Sequence, residues 1–469
     1  MGERRVLVAV TYGFSVRYLV PTGVLEQLSK VCRPVVALGW DDPELTAELT
    51  ASGLEVLRLP DAELDHRYRM FRRRMSIVHH RRLRSPSAGI ERRQRRVSVR
   101  SGRDRLVGDL RRLKDRAELA LPGRAAALES AEPAMLDVGT NVAEFQAFVT
   151  DCGVDAVVSI TPYHDQDGLL LEAAHRAGVP SLTSVISFDN PTTRERILRR
   201  SERMLVWNRF NREELLRSYP DLSASRIGII GAPQFDLHHR PDLVVAEDEW
   251  RASLGLPADR PIVLYGGGPA GLVPNETRLV SLLDDAIDRG AIGGRPFLVV
   301  RRHPAEAPAA WHALGSTLRH GIVVDPWAVG SNAHRGWPST ADLVVQMSTL
   351  AHSRVHVNVC SSMTLDGAVF DRPQIGPRFV PGNDRAQQRQ VRDLYEREHW
   401  WPITASGGLR TADDDASLIA AIDDALRDPE AGRRGRARMV EELLTFTDGR
   451  SAARLVEEID AFVVPSVPA

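Results

Sequence analysis

The recurring unit of this chain is a short, unbroken apolar run followed by a loop and then a helical pattern. Val6-Leu7-Val8-Ala9-Val10 enters Thr11-Tyr12-Gly13-Phe14-Ser15, a helix is expected at about residues 21–30, and Pro34-Val35-Val36-Ala37-Leu38 follows. A run without polar alternation marks a strand buried on both faces, the environment of a parallel sheet covered by helices. Similar runs recur at residues 54–59, 156–160, 181–186, 203–207 and 226–230, and a second series at 261–265, 297–300, 322–324 and 355–359. The reading is α/β: two Rossmann-like, doubly wound parallel-sheet domains. We expect them at residues 1–240 and 241–469, the second with terminal helices, joined by a polar, Pro-containing linker at 238–247. Open α/β sheets bind ligands at the carboxyl ends of their strands, so two facing sheets predict a cleft there.

The chain of 469 residues carries 61 basic and 62 acidic side chains, so its overall charge points to no partner class. That balance hides a basic insertion at about residues 64–118 of the first domain. Residues 66–116 hold 18 Arg and one Lys against Glu91, Asp104, Asp109 and Asp115, a local charge of +15. Three readings are open: a solvated, partly helical arm, a nucleic-acid or scaffold surface, or peripheral contact with an anionic membrane. Tyr68 and Phe71 are the only aromatics there, which supports base stacking poorly and makes nucleic acid an unlikely partner. Cys32, Cys152 and Cys360 are far apart and odd in number, against a disulfide framework and for a reducing cytoplasm. The first apolar run is too short for a signal peptide, and no stretch approaches a membrane span. The expected location is cytoplasmic, with a peripheral place at the inner membrane face if the insertion meets lipid.

Gly266-Gly267-Gly268-Pro269-Ala270-Gly271 satisfies G-x-G-x-x-G after a strand. Pro269 and Pro274 delay the helix that a dinucleotide site needs inside its glycines, and no acid ends the next strand to hold a ribose. Gly267 and Gly268 still permit close backbone approach to a phosphate. Arg301-Arg302-His303-Pro304 follows the next strand and could neutralise a diphosphate. Ser361-Ser362-Met363-Thr364-Leu365-Asp366 follows the strand at 355–359; it reads either as a phosphate site or as an ordinary serine cap with a first-turn acid. Asp366 could receive ribose hydroxyls. In the first domain, His164, Asp165 and Asp167 share a loop where a carboxylate could deprotonate a hydroxyl or simply cap the next helix. Tyr12, Gly13, Asp189 and Asn190 complete that edge. No residue spacing suggests a metal site.

These residues resemble the GT-B glycosyltransferases of bacterial surface-polysaccharide synthesis, in particular the CDP-glycerol glycerophosphotransferase-like and sialyltransferase-like groups. The resemblance rests on Arg302-His303-Pro304 and on Ser361-Ser362-Met363-Thr364-Leu365-Asp366 leading to Phe370-Asp371-Arg372-Pro373, and covers about residues 150–450. It implies a GT-B-like fold and nucleotide and phosphate contacts at His303, Pro304, Ser361 and Ser362. Asp165-Gln166-Asp167-Gly168 is similar to the acidic motif that holds the general base in the sialyltransferase-like group.

The expected activity is an inverting, metal-independent transfer of a sugar or polyol phosphate from a nucleotide donor to a hydroxyl of a glycan or lipid-linked acceptor. Asp167 or Asp165 would act as base, and His303, Arg301 or Arg302, Ser361 and Ser362 would hold the departing phosphate. No cofactor is expected. The alternatives are a nucleotide-sugar 2-epimerase on the same fold and a non-catalytic protein acting through the Arg-rich segment.

Overall fold

The computed structural model describes residues 4–83, 85–87, 89, 90, 93, 102–326 and 338–463. The chain forms two compact units: one runs to Gln234 and takes in the segment from Arg450 onward, and the other is Phe235–Gly449.

The sheet of the first unit contains β1 (Arg5–Val10), β2 (Arg33–Leu38), β3 (Glu55–Arg58), β4 (Ala156–Ser159), β5 (Ser181–Ser184), β6 (Arg203–Val206) and β7 (Ile227–Ile229). All pairings are parallel, in the order β3-β2-β1-β4-β5-β6-β7. Val6 to Val10, Val35 to Leu38 and Ala156 to Val158 are almost completely buried, as unbroken apolar runs require. Winding reverses between β1 and β4, so their carboxyl ends diverge into a crevice. The helix expected at 21–30 is shortened to Val24–Leu28, and a separate helix, Gly13–Leu19, precedes it. Pro21 interrupts the hydrogen-bond ladder, and Gly23 at φ 76° turns the chain in the left-handed region.

Part of the basic segment is docked. On its helix His66–Leu83, Tyr68, Phe71 and Met75 enter the core beside Leu7, Phe145 and Leu169. Tyr68 and Phe71 are therefore unavailable for stacking on bases. A second helix, Gly102–Glu118, answers part of the charge: Arg73 pairs with Asp115, and Arg74 with Glu118 at 2.6 Å. Arg84, Arg92, Arg95, Arg96 and Arg100 of the segment lie outside the described residues.

The second unit's sheet contains β8 (Ile262–Gly266), β9 (Phe297–Arg301), β10 (Gly321–Val324), β11 (Val355–Asn358), β12 (Gln374–Pro377) and β13 (Leu409–Ala412), parallel in the order β10-β9-β8-β11-β12-β13. Its winding reverses between β8 and β11. The stretch read as a linker is instead structured: it holds two 3-10 turns, Pro233–His239 and Pro241–Leu243, with Leu237 and Leu243 fully buried beside Trp250 and Leu264. The last helix, Ser451–Val463, packs on Val24–Leu28 and β5, and Glu458 pairs with Arg203 at 2.7 Å. It thus belongs to the first unit, whereas a boundary drawn at residue 240 assigns it to the second. Among the described residues no helix is long and apolar enough to cross a membrane.

Candidate functional site

At the reversal point of the second unit, the glycine loop after β8 has little backbone left for a ligand. Gly267 N–H donates to Arg301 O at 2.9 Å, Gly268 N–H to Glu276 at 2.8 Å and Ala270 N–H to Glu306 at 2.7 Å. The expected phosphate cradle at Gly267 and Gly268 is therefore filled by the protein's own acceptors. Gly267 is needed for another reason: a Cβ there would stand 3.2 Å from His303 N and 3.3 Å from Arg301 O. Glu276 is buried, and desolvation pushes its carboxyl up to about 8, with Gly268 N–H and the Tyr265 hydroxyl as its hydrogen-bond donors.

Beyond β9 the two arginines are also committed. Arg301 is buried and donates to Pro326 O and, at 3.3 Å, to Gln346. Arg302 is buried, ion-paired with Asp325, and donates to Glu306 O at 2.8 Å. They brace the loop instead of presenting charge to a ligand, which corrects the expected guanidinium clamp. His303 is what this bracing presents. Ala305 N–H donates to its Nδ1 at 3.0 Å, so the neutral ring carries its proton on Nε2. Burial, with Arg302 nearby, lowers its pKa to about 4, which keeps it a neutral hydrogen-bond donor at physiological pH. Pro304 is half-buried beside it.

After β11 the chain turns through Cys360, at φ 51°. Asn358 secures the turn: its side-chain oxygen accepts from Ser361 N–H at 3.2 Å and from the Thr364 hydroxyl at 2.9 Å. Thr364 is thus an internal clamp. Asp366 is 6% exposed, with His238 Nε2 at 3.0 Å from its Oδ1 and the His238 ring between Phe235 and Phe370. Asp366, expected to face a ribose, is therefore turned inward. The side chains left accessible are Ser361, half-buried with its oxygen accepting from Met363 N–H at 3.3 Å, and exposed Ser362. β9 and β11 flank β8, so the loops that carry His303 and Ser361 leave the sheet on either side of the same strand.

The carboxyl edge of the first unit brings Thr11, Tyr12, His164, Asp165 and Asp167 together. Tyr12 and His164 rings are 5.1 Å apart, and burial lowers the His164 pKa, with Arg194 adding to the effect. Asp167 is fully buried. It accepts from Ser159 at 2.5 Å, from Thr161 at 3.1 Å and from Thr11, and desolvation raises it to about 6. It latches β1, β4 and helix Asp165–Arg176 together and offers no oxygen to an acceptor, against the expectation of a base. Gln166 between the acids donates to Gly39 O and Pro60 O, each at 3.0 Å. Asp165 remains accessible, paired with Arg72. Asp189 accepts from Ser187, Asn190 and Thr193, while Asn190 is buried. Gly13 opens helix Gly13–Leu19.

Sequence reasoning missed Glu276, Asn358 and His238. An asparagine closing an apolar strand was a usable signal; a first-turn glutamate and a histidine in a polar stretch were not. Among the described residues no group of three His, Cys, Asp or Glu side chains could hold a metal ion.

No protein-family model matches the chain, and no curated protein matches it in sequence. Solved structures match it along its length. UDP-GlcNAc 2-epimerase from Neisseria meningitidis bound to UDP-GlcNAc aligns at TM-score 0.55 and 9% identity, over 97% of this chain and 99% of that one. The S. aureus MnaA-UDP co-structure aligns at 0.54 and 10%, over 99% of each. A glycosyltransferase from Rickettsia africae aligns at 0.54 and 10%, over 99% and 100%. At such identities the likeness is one of fold: a GT-B-like chain of two Rossmann-like domains.

Proposed function

We propose that the chain is an enzyme acting on a nucleotide sugar, held at the carboxyl edge of the second unit's sheet. The observation that carries this reading is that His303, Ser361 and Ser362 stay accessible around the reversal strand β8 while Arg301, Arg302, Thr364 and Asp366 are buried against other groups of the protein. A neutral Nε2–H and two hydroxyls suit the oxygens of a diphosphate, whose charge they stabilise by hydrogen bonding. This mode of binding requires no metal.

Two reactions are open to such a site, and we favour 2-epimerisation, which consumes one sugar nucleotide without an acceptor. The sealing of Asp167 favours it, because it removes one of the two carboxylates that the transfer reading offered as base. The Neisseria meningitidis epimerase adds support through its fold. Glycosyl transfer is the second reading, with the half-exposed Asp165 as base. An acceptor, and membrane contact through residues 66–116, belong to that second reading.

Titration with UDP should show binding, and His303→Ala should weaken it about tenfold, the loss of one hydrogen bond to a charged group. Unchanged affinity would remove His303 from the site. UDP-GlcNAc incubated alone and followed by proton NMR should yield its C2 epimer. If turnover appears only with an added acceptor and falls at least about a hundredfold in Asp165→Asn, transfer is the activity.

A further inference from the structure

A cavity of about 540 Å³ opens in the first unit between helices His66–Leu83 and Gly102–Glu118 and the loop after β4. Its walls carry Arg69, Arg72, Arg73 and Arg112 against Asp165 and Glu195. Arg72 is answered by Asp165, and Arg73 by Asp115. Arg69 and Arg112 make no side-chain hydrogen bond or ion pair with any described residue. Ser76, His80 and Tyr163 also line the space, and the buried Tyr163 hydroxyl has no hydrogen-bond partner. Elsewhere on these helices Arg74 meets Glu118 and Arg82 meets Glu129, while Arg67, Arg111 and Arg116 stand exposed away from the cavity. At the cavity the unanswered charge is that of Arg69 and Arg112.

We propose that this cavity is an anion site for a phosphate monoester or diphosphate group, with Arg69 and Arg112 as its counter-charges. Guanidinium forks match phosphate oxygens in pairs, and the volume falls in the range of small-molecule pockets. The site is independent of the nucleotide reading, which concerns the second unit. Its ligand is either soluble or part of a lipid. Leu106, Leu110 and Leu113 on the same helix as Arg112 are 61%, 57% and 65% exposed, so a phosphate at an apolar surface is one source and a free phosphate ester the other.

The test is calorimetric titration of the full chain with inorganic pyrophosphate, alongside flotation with vesicles of phosphatidylcholine with and without about one-fifth phosphatidic acid. The double variant Arg69→Gln, Arg112→Gln should weaken binding at least about tenfold. Arg111→Gln with Arg116→Gln removes the same charge from exposed positions of the same helix and should leave binding within about twofold. Pyrophosphate binding identifies a soluble ligand, and vesicle binding that needs both phosphatidic acid and the arginine pair identifies lipid phosphate. No dependence on Arg69 and Arg112, or equal weakening in both double variants, overturns the site. UDP titrated in parallel separates the two readings: its binding should survive the Arg69, Arg112 change, and failure of UDP to bind any variant would sink the nucleotide reading alone.

Discussion

Gly367→Ala is expected to lower the melting midpoint of the protein by roughly 4–8 °C, about 2 kcal/mol for a domain of this size. Gly367 lies in helix Met363–Val369, where an added Cβ would stand 2.1 Å from both Gln374 Nε2 and His356 Nδ1. Both of those side chains are only 2% exposed, so neither can swing aside into solvent. Alanine returns about 1 kcal/mol of helix propensity, less than the overpacking costs. The helix must rise off β11 and β12, carrying Ser361 and Ser362 with it, so UDP affinity should fall as well. Gly271→Ala is the control, since a Cβ there meets nothing within 4 Å. If the two substitutions behave alike in a thermal melt, the packing argument for Gly367 is wrong.

The second large effect is in pH dependence. Glu276 titrates near 8 in the folded chain against 4.5 as its ordinary value, because burial penalises its charged form. Folding therefore favours the protonated acid. That contribution is complete below about pH 4.5 and is lost as pH rises toward 8. At about 1.4 kcal/mol per pH unit the window corresponds to several kcal/mol, with about 5 as an upper bound. Glu276→Gln keeps an oxygen for Gly268 N–H and carries no charge to bury. The variant should match the wild type at about pH 5 and melt well above it at about pH 8.5. A constant difference between the two curves would mean that Glu276 is ionised throughout.

The strand series could be read because β1, β2, β4, β8 and β11 are buried on both faces and so carry unbroken apolar runs. β12 and β13 escaped: Gln374-Ile375-Gly376-Pro377 and Leu409-Arg410-Thr411-Ala412 have no such run, and their pairing is decided by the sheet beside them. The site was legible as a set of loops but not as a division of labour. His303, Arg302 and Arg301 are adjacent in sequence, and only the positions of Asp325, Gln346 and Glu306 decide which of them faces outward. Asp165, Gln166 and Asp167 illustrate the same limit, since successive residues at a helix start point in different directions and meet different partners. The docking of helix His66–Leu83 was not legible, because the charge of the insertion is visible in sequence whereas the contacts of Tyr68, Phe71 and Met75 are long-range.

The return of helix Ser451–Val463 to the first unit makes the architecture nested. The second unit is continuous in sequence, while the first is built from two pieces of chain separated by all of Phe235–Gly449. A tail deletion at Arg450 would therefore expose Val24, Leu25 and Leu28 and damage the domain encoded at the opposite end of the sequence. The piece that can be excised whole is the interior one, and the flanking domain becomes a single polypeptide only when Gln234 is spliced to Arg450.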